Sequence, residues 1–197
     1  MIVQEYGLYF AAVISQQDPQ TLYALLEQFR ILCAVRIGPY GVENINMLVE
    51  QILREKGIVP HTGREYPGRP LIVLRNDYQL QLFNGDVGII MRKGDHFVAC
   101  FEDEAGGIRH FAPSRLPEHE TVFAMTVHKS QGSEFRKILH ILPNRDNPIL
   151  TRELIYTAVT RAKEEVMLWA DEEILRMAVS RAIRRDSGLR DFFHGPA

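Results

Sequence analysis

The stretch Met125-Thr126-Val127-His128-Lys129-Ser130-Gln131-Gly132-Ser133-Glu134-Phe135 decides how this chain is read. The apolar run before it, Thr121 to Val127, has the length of a buried strand and stops abruptly at polar, charged and glycine residues. Folded α/β proteins place chemistry at such points, where a buried strand gives way to a loop facing a cleft. Gly132 permits a tight turn or the close approach of a ligand. The side chains of Thr126, His128, Lys129 and Ser130, with exposed backbone N–H groups, suit phosphate and sugar contacts along a nucleic-acid strand. Glu134 accepts but does not donate when ionised, so it suits hydroxyl donors such as those of a ribose. A loop whose Ser and Thr only cap a helix would share part of this composition, but not the whole order T-x-H-K-S-Q-G-x-E-F.

A second stretch repeats the design: Leu154-Ile155-Tyr156-Thr157-Ala158-Val159-Thr160-Arg161-Ala162-Lys163. Thr151 caps a helix expected to run to about Arg161, with Tyr156, Val159 and Thr160 on neighbouring turns. An arginine at the end of a rigid helix can point a planar, permanently charged fork into a cleft, as stabilisation of γ-phosphate charge requires. A lone arginine there is more often a solvated charge favoured by the helix dipole. The setting T-A-V-T-R-A shifts the balance to function, whereas Lys163, Glu164 and Glu165 read as a solvated face. Arg36 follows another apolar run, Ile31 to Val35, and precedes the turn Gly38-Pro39-Tyr40-Gly41. It can reach a phosphate at a sheet edge or serve as a loop charge.

Outward from these stretches the order is helix, strand, helix. Tyr6, Tyr9, Phe10, Val13 and Ile14 recur at helical spacing, and Asp18-Pro19 starts a second helix carrying Leu22, Leu25, Leu26 and Phe29. Val42 to Lys56 is amphipathic and Gly57 stops it. This order predicts an α/β domain with a parallel sheet. From Tyr66-Pro67-Gly68 the texture changes to short apolar runs (87–91, 97–101, 108–111) between turn signals such as Asn84-Gly85 and Gly106-Gly107. They predict a small antiparallel barrel inserted between residues 66 and 118, flanked by α/β segments 1–65 and 119–197. Its aromatics, Tyr78, Phe83, Phe97 and Phe111, are expected in its core. After it come strands at Ile138 to Leu142 and Val166 to Trp169, a last helix from Glu172 to about Arg185, and a frayed tail, Ser187 to Ala197.

The chain has 197 residues, 46% apolar and 24% charged, with a formal net charge of -2. That describes a globular chain and gives no global electrostatic case for or against nucleic acid, since only one groove of a binding protein must be positive. Cys33 and Cys100 are expected to be buried free thiols in a reducing compartment. No signal peptide or membrane-length apolar run is present, so a bacterial-type cytoplasm is the expected location. His96, His110, His119 and His140 lack ligand spacing, and no metal site is expected.

Together the two stretches resemble motifs V and VI of superfamily-1 helicases, in that order. Phe29 to Asn46, Gly68 to Val73, Leu82 to Gly88 and Pro113 to Pro117 extend the resemblance to the C-terminal part of the RecD family, the exodeoxyribonuclease V alpha subunits. It implies a second RecA-like motor domain bearing an SH3-like insert. The intact protein would be an ATP- and Mg²⁺-dependent 5′-to-3′ translocase on single-stranded DNA, partnered by RecB and RecC in double-strand-break repair, with nuclease activity residing in RecB. By position, Arg161 would be the arginine finger, Gly132 and Glu134 would meet the nucleotide, and Thr126 and His128 the DNA; Arg36 matches the motif IV arginine only loosely. The phosphate loop G-x-x-x-x-G-K-[ST] is absent from the chain. In the family it lies in the preceding N-terminal RecA-like domain, so the chain alone is expected not to hydrolyse ATP. Two alternatives stand beside this: a related helicase that acts without RecB and RecC, and a DNA- or protein-docking module that never meets ATP.

Overall fold

The computed structural model describes residues 1–103 and 105–183. A four-stranded, fully parallel sheet organises the chain, in the order β7-β1-β8-β9. Its strands are β1 (Phe29–Cys33), β7 (Ala124–Thr126), β8 (Phe135–Ile141) and β9 (Ala162–Trp169). Successive β1 residues feed opposite cores, as a sheet covered on both faces requires. Phe29, Ile31 and Cys33 join the cluster built with Tyr6, Tyr9, Phe10, Leu26 and Val49. Leu32 joins the cluster with Met125, Ile138, Leu154, Ile155 and Ala158. The first cluster is supplied by helices α1 (Ile2–Glu5), α2 (Gly7–Ile14), α3 (Pro19–Leu26) and α4 (Val42–Glu55). The second is supplied by α5 (Arg152–Val159) and α6 (Glu172–Ser180). The helical spacing of Val3 to Ser15 is thus real but divided at Tyr6. Asp18 caps α3 as its sequence requires, accepting from the Thr21 amide at 2.9 Å.

Several boundaries differ from the expectation. Strand β7 covers only Ala124–Thr126 of the run Thr121 to Val127, because Thr121 pairs with Leu71 in a second sheet, and β8 begins at Phe135 rather than Ile138, its start lying beside Ala162. Strand β1 begins at Phe29, two residues before Ile31, because Phe29 and Arg30 already pair with Lys137 and Ile138 of β8. Strand β9 begins at Ala162 and includes Lys163 to Glu165. These polar residues hid the strand. They suit an edge paired on one side only, where Glu165 lies 3.0 Å from Lys137 and Glu164 lies 2.6 Å from Arg136 of β8. The last helix stops at Ser180 rather than near Arg185, and the tail from Ser187 lies outside the described residues.

Between β1 and β7 the chain builds a second sheet, antiparallel, ordered β5-β4-β3-β2-β6. Its strands are β2 (Pro70–Val73), β3 (Val87–Lys93), β4 (His96–Glu102), β5 (Ile108–Phe111) and β6 (His119–Thr121). Leu71, Val73, Leu82, Ile90, Ala99 and Phe101 form its core, with Phe97 and Phe111 packed against them. Tyr78 and Phe83 do not join that core: Tyr78 is 77% exposed and meets Phe83 edge-on at the sheet's tip. Their alternation with apolar neighbours suggested burial, but they sit in the turn region before β3 rather than on a strand. Tyrosine hydroxyls tie this sheet to the helices. Tyr9 donates to Gly68 O at 2.8 Å, and Tyr23 to Cys100 O at 2.7 Å.

Both cysteines are buried free thiols. Burial pushes Cys33 up to about 12 and Cys100 up to about 11, so both stay protonated and inert. Among the described residues no helix is long and apolar enough to cross a membrane. His140 on β8 is fully buried; its Nδ1 meets Leu32 O at 2.9 Å and its Nε2 has no partner. Desolvation therefore lowers its pKa. A histidine held neutral in the native state but free to protonate when unfolded stabilises fully above its unfolded pKa. Stability is then lost as pH falls below about 6.5, by at most about 1.4 kcal/mol per pH unit. Denaturation between pH 8 and 5 should show this loss, and His140→Asn, which keeps a donor for Leu32, should remove part of it. An unchanged pH profile in that variant would exclude His140 as the source.

Candidate functional site

The loop from Val127 to Glu134 is the structural centre of the site. It leaves the carboxyl end of β7 and arrives at the amino end of β8, so it connects opposite ends of the same sheet. Local hydrogen bonds shape its first half. The Lys129 amide donates to Thr126 Oγ1 at 3.2 Å, and Ser130 Oγ donates to Val127 O at 2.7 Å. Ser130 is 0% exposed, so its hydroxyl closes the turn from inside and is not presented to a strand of nucleic acid. This corrects the sequence expectation for that residue. A serine that pins its own loop and one that faces a ligand have the same sequence signature. Gly132 has φ +88, a left-handed conformation that side chains rarely adopt, and open space surrounds it.

The two halves of the loop face different neighbourhoods. At the carboxyl ends of β1 and β7 stand Thr126, His128, Lys129 and Arg36. Glu120 organises the cations here: its carboxylate takes Arg36 Nη2 at 2.8 Å and lies 3.9 Å from Lys129 Nζ. Glu43 adds a contact to Arg36 Nε at 3.2 Å. The Glu120 hydrogen bond raises the Arg36 pKa, while burial lowers that of Lys129 against the pull of Glu120. His128 is exposed and, with Gln131, lines a cavity of about 300 Å³ beside Thr151 and Thr157 of the α5 region.

At the amino ends of β1, β8 and β9 lies a larger cleft of about 750 Å³. Gly132, Ser133 and Glu134 line it together with Arg161, Arg30 and Lys163. Arg161 sits two residues past the end of α5, at the junction with β9, rather than on the helix itself. Its Nε donates to Thr157 O at 3.2 Å, its Nη1 to Ser133 O at 3.2 Å and its Nη2 to Thr160 Oγ1 at 3.4 Å. All three acceptors are neutral. The guanidinium is therefore held in place with its charge uncompensated, a suitable state for receiving an anion. Glu134 is exposed, with Lys163 Nζ at 3.6 Å. Glu27, Asp86 and Glu102 form another wall, and burial raises the Glu102 pKa with help from Glu27.

The structure thus brings Arg161, Gly132 and Glu134 together at one cleft, links Thr126, Lys129 and Arg36 near the other end of the sheet, and leaves His128 in the separate cavity beside α5. Arg36 does not line the Arg161 cleft; it lies at the other end of β1, clamped by two carboxylates. Sequence reasoning missed Arg30, Glu120 and Asn46. The signal for Arg30 was visible as a charge inside the apolar run Phe29 to Val35. Glu120 and Asn46 gave none, since their partners are remote in sequence. Among the described residues no group of three metal-ligating side chains comes together. The cleft's donors fit an oxyanion: two guanidinium groups, one of them with a buried donor lacking an acceptor, and a glycine-containing loop.

Known proteins resemble this chain over much of its length. Residues 121–169 match the UvrD-like helicase C-terminal domain. The chain is 44% identical over 173 residues to the RecBCD enzyme subunit RecD of Mycolicibacterium smegmatis, covering 88% of this chain and 30% of that protein. It is 37% identical over 187 residues to the RecD subunit of Haemophilus influenzae, covering 94% of this chain and 27% of that one. It therefore spans less than a third of the length of these relatives. The crystal structure of a Bacteroides Pif1 helicase in complex with ADP-AlF3 and ssDNA superimposes with a TM-score of 0.51 at 18% identity, covering 96% of this chain and 53% of that one. This shows a helicase-like α/β fold with a parallel sheet.

Proposed function

We propose, from the premise that this chain matches the C-terminal part of RecD, a superfamily-1 helicase, that it forms the second half of an ATP-driven DNA motor. In the intact protein the partner half is an N-terminal RecA-like domain holding the phosphate loop, the Mg²⁺ ligands and the water-activating carboxylate. The observation that carries this reading is Arg161: a guanidinium fixed by neutral acceptors in a large cleft beside the Gly132–Glu134 loop. Bound ATP supplies the phosphoryl group whose transfer to water drives the cycle. Arg161 receives the charge that develops on that group. Glu134 accepts from ribose hydroxyls, and Gly132 lets the backbone approach. At the far end of the loop Thr126, His128 and Lys129 hold a single strand of DNA, and Arg36 strengthens that basic edge instead of reaching the nucleotide. Because one eight-residue loop, 127–134, joins the two ends, closing the cleft pulls on the strand-holding residues. Repeated closing and opening moves the motor along DNA 5′ to 3′.

The antiparallel sheet, whose strands run from Pro70 to Thr121, is an SH3-like insert. The intact protein works with RecB and RecC in double-strand-break repair in the bacterial cytoplasm, and this chain alone does not turn over ATP. A titration of labelled single strands against the chain at two salt concentrations tests the strand-holding edge. Affinity should fall steeply with salt, with a log–log slope of about −0.7 for each phosphate contact, and Lys129→Ala should flatten that slope by about one contact. Absence of binding at low salt would refute that edge and favour a protein-docking module.

A further inference from the structure

Arg30 is a buried cation with no salt-bridge partner among the described residues; burial lowers its pKa, against the longer-range pull of Tyr6, Tyr9 and Glu27. It lies in β1 and is 3% exposed. Its Nη1 donates to the Val122 carbonyl, and its guanidinium carbon lies 5.1 Å from the centroid of the Phe135 ring. Its Nε is buried and has no acceptor. Among the described residues no carboxylate forms a salt bridge with it. Arg54, Glu65 and Arg109 also carry a buried atom without a partner, but Arg54 and Glu65 take part in salt bridges and Arg109 donates to two carbonyls. Arg30 has one carbonyl acceptor and no salt bridge, and an unpaired buried charge is costly to desolvate. The comparison within this molecule is Arg69, equally buried, whose Nη1 lies 3.0 Å from Glu65 and whose Nε donates to Thr121. Arg30 instead forms part of the wall of the cleft shared with Arg161 and the Gly132–Glu134 loop.

We infer that Arg30 is a second oxyanion-receiving group of this cleft, acting with Arg161 on the phosphate chain of a nucleotide. The inference rests on the nucleotide reading of the cleft. With Nη1 engaged by Val122, the edge left without a protein acceptor carries Nε and Nη2; Nε is itself shielded from solvent, so a phosphate must approach this edge from the cleft that Arg30 lines. A phosphate oxygen supplies the acceptor that the folded chain leaves out, in a charge-assisted hydrogen bond. Three carboxylates line the same cleft, Glu27 close enough to act on Arg30 itself, and they set the selectivity. Glu27, Asp86 and Glu102 repel a compact anion, so binding requires a ligand long enough to engage both guanidinium groups. A chain of phosphates meets that condition and a single phosphate ion does not. Arg30 thus sorts ligands by phosphate number before any chemistry begins.

The test uses the unaltered chain labelled with ¹⁵N and four probes: tripolyphosphate, ADP, inorganic phosphate and a short oligothymidylate. Tripolyphosphate and ADP are expected to shift the Arg30 Nε–Hε resonance, with inorganic phosphate far weaker. Calorimetry on Arg30→Met should show tripolyphosphate binding about tenfold or more weaker, with Arg161→Ala also weakened. Near-ultraviolet circular dichroism checks that each variant is folded. If Arg30→Met does not fold, the resonance measured on the unaltered chain decides. A folded Arg30→Met binding within twofold of the parent, while Arg161→Ala loses binding, would overturn the role of Arg30 and leave the nucleotide cleft standing. An Arg30 resonance moved by oligothymidylate and not by tripolyphosphate or ADP would also overturn it, reassigning the site to nucleic-acid phosphate. No binding of tripolyphosphate or ADP by the unaltered chain would remove both the inference and the nucleotide reading.

Discussion

Arg161→Ala in the intact protein is expected to lower DNA-stimulated ATP turnover by about 10³-fold or more, the effect of removing a charge that stabilises phosphoryl transfer. Nucleotide affinity should fall far less, because the guanidinium acts mainly on charge that develops during the reaction. The fold should tolerate the change. Arg161 makes three long hydrogen bonds, at 3.2, 3.2 and 3.4 Å, all to neutral acceptors on its own helix end or on Ser133. Their loss costs about 1 kcal/mol or a little more. Arg161→Lys keeps the charge but not the planar fork, and the lysine would have to give up the two anchoring carbonyls to reach forward. It should recover only a small part of the rate. Steady-state turnover and equilibrium nucleotide binding, measured on the same preparations, separate the two effects. Turnover within tenfold of the parent, with nucleotide still bound, would remove the finger assignment.

The parts of the molecule legible in the sequence are those fixed by local chemistry. The amphipathic pattern of Val42 to Lys56, the Asp18-Pro19 start of α3 and the Thr151 cap each state their structure within a few residues. The texture change at Tyr66 likewise marks a second sheet, because turn residues recur faster than a helix allows. The loop Val127 to Glu134 was legible as a site but not as a connector. Which end of the sheet each residue faces depends on strand order, and β1 lies between β7 and β8 only in the folded chain. That is why the sequence offers Arg36 either as a phosphate contact at a sheet edge or as a loop charge, and only the fold shows it at the opposite end of the sheet from Arg161. Edge strand β9 was truncated for a related reason. Lys163 to Glu165 look like a solvated helix face until β8 presents Arg136 and Lys137 opposite them. Arg30 goes unread because the sequence places Phe29 on the preceding helix and starts the strand at Ile31, so a charge flanked by apolar residues is not placed on a strand.

Asn46 carries the largest expected effect on stability, and nothing near it in sequence announces this. Strand β7 is the edge of the parallel sheet and pairs with β1 on one side only. Its outer side would leave the Ala124 backbone without partners in a buried setting. Asn46, on α4 and 7% exposed, takes both groups: its Oδ1 accepts from Ala124 N at 2.8 Å and its Nδ2 donates to Ala124 O at 3.0 Å. One side-chain amide thus replaces a neighbouring strand for one residue and fixes the distance between α4 and the strand from which the functional loop departs. Asn46→Leu, of similar size, removes both partners. With about 1–3 kcal/mol for each orphaned buried group, the cost is roughly 2–6 kcal/mol, a large share of the stability of an ordinary domain. Asn46→Asp gives a sharper test, because its carboxylate would face the Ala124 carbonyl and resist ionisation. Its folded pKa would lie above the unfolded value of about 3.9, so its deficit should be greatest near neutral pH and shrink as pH falls toward 4, when the protonated acid can donate again. Asn46→Leu has no such titration, and its deficit relative to the parent should stay level over the same range. Denaturant midpoints at pH 7 and pH 4.5 distinguish these outcomes. An Asn46→Leu chain within 1 kcal/mol of the parent would mean that water or a shifted α4 satisfies Ala124, and that the edge of β7 does not depend on this amide.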